Sequence, residues 1–355
     1  MVACALNTTT GELKRAKMSS DPEVVCSWIQ QFPTDAKVVY EAGPTGYPLV
    51  RHLLANGIDC VIAAPSKLLR APGDHVKTDK RDAQGLAKLL SLGEITEVRI
   101  PSESQEALRD LSRARTQAQK ALSHQRQQLN ALLLRHGRRY TDSSKWTNAH
   151  LEWLRKQRFE QVATHMAFEA DLELVLTLAE HVKRLDQHIE SQAQACEYNA
   201  VINSLMCLRG IQMTTAFGLA TEIGDWTRFT GATIASYVGL TPSEYSSGTK
   251  RAQGPITKAG NKHVRRLLVE AAWQHKRAYS RPGVRLQRQL DLVDSPTRCR
   301  ALKGNRRLAD RWIAFDKRGK LSVKANTAIA RELAGWCWSL AAPLQNASKM
   351  HDLTR

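Results

Sequence analysis

Two sets of residues in this 355-residue chain have the types and spacing to do chemistry: a few carboxylates near the front and a serine in a basic loop near the back. Glu41 closes the short apolar run Lys37-Val-Val-Tyr40 and is followed by Ala42-Gly43-Pro44-Thr45-Gly46. A carboxylate at the carboxyl end of a strand, beside a glycine turn, stands at the sheet edge where α/β folds bind ligands. Taken alone it also reads as a surface glutamate. Asp79 and Asp82 lie in Lys77-Thr-Asp-Lys-Arg-Asp-Ala83, with Thr78 placed as an N-cap. Their spacing puts both carboxylates on one side of a first helical turn. Such a pair attracts a hard cation such as Mg²⁺, although acidic residues at this position also complement the helix dipole. With Glu41 added, the set reads as a metal site for phosphoryl transfer.

The serine lies in Tyr245-Ser-Ser-Gly248, within a segment rich in small and basic residues: Lys250, Arg251, Lys258, Lys262, Arg265 and Arg266 follow it closely. A serine hydroxyl attacks poorly unless it is activated, and guanidinium groups can hold a phosphate and its developing charge. The spacing is equally that of a Ser/Gly loop gripping a nucleic-acid backbone without chemistry. Upstream, Leu205 to Ala220 reads as a helix, a turn centred on Gly210 and a second helix. This is a helix–hairpin–helix-like unit whose turn would offer backbone N–H groups to a phosphate.

Charge supports a polyanionic partner. Lys and Arg exceed Asp and Glu by only one in residues 1–100 and by one in 101–200, but number 26 against 10 in residues 201–355. One-sided positive charge favours nucleic acid, because each neutralised phosphate releases counterions. No apolar run approaches the roughly 20 residues a membrane helix needs, and no signal peptide is present. The seven cysteines form no C-x-x-C pair, which speaks against zinc and for reduced thiols in a soluble cytoplasmic protein.

Three regions must position these groups. Residues 1–100 alternate strands and helices: a hairpin of Val2–Leu6 with the run around Glu12–Met18, helices over Pro22–Phe32 and Tyr47–Asn56, and strands at 37–40 and Asp59–Ala64. That pattern predicts an α/β domain with a partly parallel sheet. Residues 101–199 carry apolar residues at helical spacing from Glu103 to His136 and again from about Asn148 to Cys196, predicting two long helices as a coiled-coil arm or a helical bundle. Residues 200–345 read as a basic, mostly helical domain, with helices at His263–Tyr279 and Thr327–Leu340, and residues 346–355 as a tail.

Three runs in order, Glu41-Ala-Gly-Pro-Thr-Gly46, Lys77-Thr-Asp-Lys-Arg-Asp-Ala83 and Gly239-Leu-Thr-Pro242 through Tyr245-Ser-Ser-Gly248 to Thr257-Lys-Ala-Gly-Asn261, resemble the insertion-sequence one-ten family of transposases. Val264-Arg-Arg-Leu-Leu268 and Arg331-Glu-Leu-Ala-Gly-Trp336 add to the likeness. The resemblance implies a ribonuclease-H-like (RuvC-like) first domain with a D-E-D-D metal site, a helical linker, and a transposase domain with a catalytic serine. Glu41, Asp79 and Asp82 take the last three acidic places, and Ser247 takes the nucleophile's place, ahead of Ser246. The implied partners are donor and target DNA, a structured guide RNA encoded by the element, and further copies of the chain in a homodimer or homotetramer, in a bacterial, nucleoid-associated setting.

The family's first aspartate precedes a segment like Val2–Leu6 and has no counterpart after Met1, as expected of a late-assigned start or a truncated copy. The mechanism so implied is attack by Ser247 on a DNA phosphate, with carboxylate-bound Mg²⁺ near the same phosphate. Two rivals stay open: a metal-dependent Holliday-junction-type nuclease using water, and an inactive nucleic-acid-binding relic.

Overall fold

The computed structural model describes residues 1–68, 78–142, 144–247 and 252–353, side chains excepted at 66 and 349–353. Lys77, Gly248, Lys250 and Arg251 lie outside the described residues. The chain divides into two compact units, Met1–Ser102 and Glu103–Arg355.

The first unit follows the alternation in its sequence. Strands β1 (Val2–Leu6) and β2 (Leu13–Lys17) pair antiparallel, with Ala3 opposite Ala16. The turn between them is held by Asn7, whose Oδ1 accepts from Thr9 and Thr10 N–H. Helix α1 (Pro22–Ile29) starts at Asp21, whose carboxylate accepts from Glu23 N–H, with proline in its first turn. Strand β3 (Val38–Glu41) and β4 (Cys60–Ala63) pair parallel, joined through α2 (Pro48–Ala55). The parallel pairing expected of a βαβ order is present, but β3 and β4 form a two-stranded sheet separate from the β1–β2 hairpin, which corrects the expectation of one partly parallel sheet. Val25, Val50, Leu53 and Ile62 form the core beneath it. Residues 96–98 add an irregular antiparallel edge to β4. Helix α3 (Asp79–Ser91) is capped by the Thr78 hydroxyl, packs on β1 and touches β3.

In the second unit, α4 (Glu103–Arg135) runs uninterrupted, as its apolar spacing predicts. The second long stretch is broken, which corrects the expectation of one helix over 148–196. Helix α5 (Asn148–Arg155) ends at Lys156, and α6 (Val162–Ala195) starts afresh. Between them Phe159 turns inward against Phe168 and His136, closing the far end of a core made by Leu129, Leu133, Leu154 and Val175. No Pro or Gly marks that break. Arg115–Asp186 and Gln125–Asp171 pair early α4 with late α6 and later α4 with earlier α6, so the two helices are antiparallel.

Helices α7 (Asn199–Leu205) and α8 (Met213–Ile223) flank the Gly210 turn. Then come α9 (Thr233–Tyr237), the antiparallel hairpin β5 (Pro242–Glu244) and β6 (Gln253–Ile256), and α10 (Lys262–Ala272). Last are α11 (Val284–Asp291), α12 (Ser295–Lys317) and α13 (Ser322–Leu353). Helices α11 and α12 had no sequence expectation because Arg and Lys dilute their apolar pattern. Yet Leu308, Trp312 and Phe315 of α12 meet the core at spacings of four and three. Helix α13 continues through 346–353, where a tail was expected.

The join between α4 and the C-terminal helices is polar and buried. Gln105 Nε2 and Arg109 Nε donate to the Thr221 carbonyl, and Arg109 Nη2 to that of Glu222. Arg113 donates to both oxygens of the fully buried Glu222 carboxylate, at 2.7 and 3.0 Å, and Asn261 Nδ2 donates to it at 2.7 Å. Burial alone would raise the Glu222 pKa, but the Arg113 and Asn261 hydrogen bonds hold it below the ordinary carboxylate value.

Removing one partner of a buried ion pair strands the other charge. Arg113→Ala is expected to cost about 2–3 kcal/mol of unfolding free energy by chemical denaturation, discounted for the half-exposed arginine. Adding Glu222→Gln should recover much of that, and an Arg113→Ala variant as stable as wild type would remove this pair from the account.

His275 supplies a second test. Burial first, and then the Arg209 charge, push its pKa down to about 4. The unfolded imidazole titrates near about 6.5, so between these values the unfolded chain binds more protons and stability rises with pH. Wild type should therefore lose up to about 3 kcal/mol as pH falls from about 6.5 to about 4. His275→Gln, neutral throughout, should flatten that part of the profile of melting temperature against pH; an unchanged slope would refute it.

Candidate nucleic-acid interface and catalytic residues

In the first unit, Glu41 is the last residue of β3, and Asp79 and Asp82 open α3. Asp79 is exposed, and Asp82 and Glu41 are half-buried. The Thr78 cap sets the start of α3, so both aspartates stand in its first turn, at the spacing expected. Their donors are hard oxygens, the kind Mg²⁺ takes. Among the described residues, however, no group of three or more His, Cys, Asp or Glu gathers closely enough to hold a metal by itself. A Mg²⁺ ion keeps several waters and needs only one or two protein carboxylates together with substrate phosphates. Oxygen donors such as Glu41, Asp79 and Asp82 are of the type that such an open site uses, and among the described residues they form no closed protein cage.

In the second unit, Ser246 and Ser247 follow β5 on an antiparallel hairpin that the sequence did not announce. Tyr245 N–H donates to Ala252 O at 2.9 Å, keeping the two arms paired up to the serines. Ser246 Oγ donates to Glu244 Oε1 at 2.8 Å and accepts from Ala252 N–H. Ser247 is exposed and makes no side-chain hydrogen bond to another described residue.

The base of the hairpin is tightly built. Gly239 and Gly260 both have positive φ, and a Cβ on either would fall on backbone, that of Ala259 and Tyr237 respectively. Only glycine permits this crossing. Lys258, also at positive φ (+55°), donates its N–H to Gly239 O and leaves its side chain exposed. Arg265 points inward: one Nη1 donates to Val238 O and Ala259 O, at 2.9 and 2.8 Å. Its guanidinium holds the crossing in place, and burial lowers its pKa. Lys262 is exposed on the first turn of α10.

The Gly210 turn is packed, not open. Gly210 has φ +82°, and a Cβ there would fall on the Ala271 carbonyl oxygen of α10. The neighbouring N–H groups are taken: Arg209 N–H by Asn305 Oδ1 at 2.8 Å and Ile211 N–H by Leu208 O. The turn joins α7 and α8 to α10 and α12, and these two N–H groups are not offered to a phosphate.

Sequence reasoning missed a polar cleft of about 470 Å³ between α4, the start of α8 and α10. Ser112, Thr116, Lys120 and His124 line it from α4, Thr214 and Thr215 from α8, and Arg266 and Glu270 from α10. Arg266 donates to Thr116 Oγ1 and pairs with Glu270. Thr214 and Thr215 stand in the first turn of α8, so the positive end of that helix lies beside the cleft. The spacing of 112, 116, 120 and 124 was visible, but nothing in it showed that α8 and α10 would face that stripe. Beside it, His263 is held in its neutral form by burial and by the Arg266, Arg113 and Lys120 charges, against the pull of Glu222.

Among the described residues no helix is long and apolar enough to cross a membrane. The seven cysteines are all free: Cys26, Cys60, Cys207 and Cys337 are buried, and Cys299 is exposed.

Comparison with known proteins agrees with this arrangement of motifs. Residues 1–137 match the DEDD IS110 model, described as a transposase, and residues 202–286 match the model described as the Transposase IS116/IS110/IS902 family. The protein y4qE of Sinorhizobium fredii is 44% identical over 303 residues, covering 85% of this chain and 74% of that one. The transposase for insertion sequence element IS1533 of Leptospira borgpetersenii is 34% identical over 241 residues, 67% of this chain and 70% of that one. With both halves matched in order and relatives aligned over most of its length, the chain belongs to the IS110 family of transposases, whose activity is DNA transposition.

Proposed function

We propose that this transposase cuts and rejoins DNA by serine chemistry. Ser247 Oγ attacks a DNA phosphorus, the new O–P bond replaces the P–O bond to one deoxyribose, and the released hydroxyl takes up the proton. The resulting phosphoserine link preserves the energy of the broken bond until a second strand end attacks it. The observation that supports this reading is the difference between the two exposed serines: Ser246 is tied to Glu244 and the Ala252 N–H, while Ser247 makes no side-chain hydrogen bond to another described residue. Glu41, Asp79 and Asp82 would hold Mg²⁺, whose chemistry there is to neutralise charge developing on the phosphate. The first domain is then of the ribonuclease-H-like, RuvC-like kind.

The polar cleft takes the nucleic-acid backbone. Lys120 and Arg266 supply positive charge, the uncapped start of α8 supplies N–H donors, and Ser112 and Thr116 supply hydroxyls. Exposed Lys258 and Lys262 extend the positive surface toward the hairpin, with Lys250 and Arg251 adjoining it in sequence. A structured RNA encoded by the element guides the choice of donor and target, and a homodimer or homotetramer holds two duplexes. The basic composition of the second unit is compatible with both.

Ser247→Ala is expected to lower strand exchange by at least about three orders of magnitude while leaving DNA binding nearly intact. Denaturing gels of DNA reacted with wild type should show a protein-linked strand that the variant lacks. Undiminished recombination by the variant would put water, not serine, in the attacking role. Lys120→Gln should weaken duplex binding and reduce the slope of log K against log salt by about one, read by anisotropy titrations at several salt concentrations. An unchanged slope would take the cleft out of the interface.

A further inference from the structure

A second cavity, of about 660 Å³, lies between α9, α12 and α13 and shares no lining residue with the polar cleft. Glycines make room for it. A Cβ on Gly335 would lie 3.3 Å from Gly231 O, and one on Gly231 would lie 3.4 Å from the Trp338 ring, so α13 meets the segment before α9 almost backbone to backbone. Trp338 is fixed by its Nε1–H, which donates to Phe229 O at 2.8 Å. Trp336 rests a ring face on Gly304 of α12, where a Cβ would come within 3.0 Å of Cδ2 and Cε3. Its indole is only half-buried and lines the cavity.

Arginines surround this aromatic floor. Glu332, the carboxylate of the lining, is satisfied by Arg307 at 3.0 Å and Arg311 at 3.5 Å. Arg300 and Arg331 also line the cavity, are exposed, and form no ion pair or side-chain hydrogen bond with another described residue. A flat π surface backed by glycine, with two unneutralised guanidinium groups at its edge, is suited to a flat aromatic ring that carries a phosphate. The volume is that of a small-ligand site.

We propose that this cavity receives one unpaired nucleotide, its base stacked on Trp336 and its phosphate held by Arg331 and Arg300. Base–aromatic stacking needs an exposed base face, which a closed duplex does not offer, and is tolerant of sequence because every base has one. The pocket would therefore select strand state, not sequence. This is a useful property in a reaction that parts and exchanges strands. The inference rests on the reading that the chain handles nucleic acid, but not on the serine chemistry. An unpaired DNA strand and an unpaired RNA segment share the recognised chemistry.

The test titrates the full chain against three labelled probes: a short DNA single strand, an RNA strand of the same sequence, and the DNA duplex. Arg331→Gln and Trp336→Leu should each bind single strands about tenfold or more weakly, with duplex affinity unchanged. A 2-aminopurine placed in the strand should be quenched by wild type and recover in Trp336→Leu. Loss on DNA alone, on RNA alone or on both supports the pocket and names its source. Unchanged single-strand binding in both variants, or equal loss on duplex and single strands, overturns it. Should Trp336→Leu fail to fold, Arg331→Gln and Arg300→Gln decide by the same criterion. If wild type binds duplex but no single strand, this inference alone falls; if it binds neither, the reading beneath it falls too.

Discussion

The second unit depends on one buried carboxylate. Glu222 has no solvent to stabilise its charge, so Arg113 of α4 and Asn261 ahead of α10 must both reach it. Three helices distant in sequence are thereby held in one register, because a bidentate guanidinium and a directional amide tolerate little displacement. The same Asn261 caps α10 through its Oδ1, accepting from His263 and Val264 N–H. One side chain thus fixes where α10 begins and how it meets α8.

The serine hairpin inherits its position from that arrangement. Helix α10 carries Arg265, whose Nη1 holds the carbonyls of Val238 and Ala259 together. Those carbonyls flank the glycine crossing of Gly239 and Gly260 from which β5 and β6 emerge. Arg265, a candidate nucleic-acid contact in the sequence, supports the base of the loop that carries Ser246 and Ser247. Arg266, one position on, turns to the cleft, as helical geometry requires of successive residues.

The first unit places its carboxylates by simpler means. A strand end and a capped first turn put them at the edge of the secondary structure, exposed or half-buried. The proposed metal role of these carboxylates relies on substrate phosphates to complete the coordination.

Residue order by itself determined the α/β character of the first unit, the Thr78 cap, the uninterrupted α4 and the family. Each follows from local periodicity, capping chemistry or a contiguous motif. Which strands pair came from the tertiary structure. The break at Phe159, helices α11 and α12, and the burial of the Gly210 turn were not legible, because each is decided by partners far along the chain. Phe159 turns inward because Phe168 and His136 receive it. Helix α12 is recognised by the core its sparse apolar residues meet, and Gly210 is closed by Ala271 and Asn305. The polar cleft and the tryptophan cavity belong to the same class. Their side chains are ordinary in sequence and acquire chemistry when separate helices converge, since a concave site is a property of packing and not of any one segment.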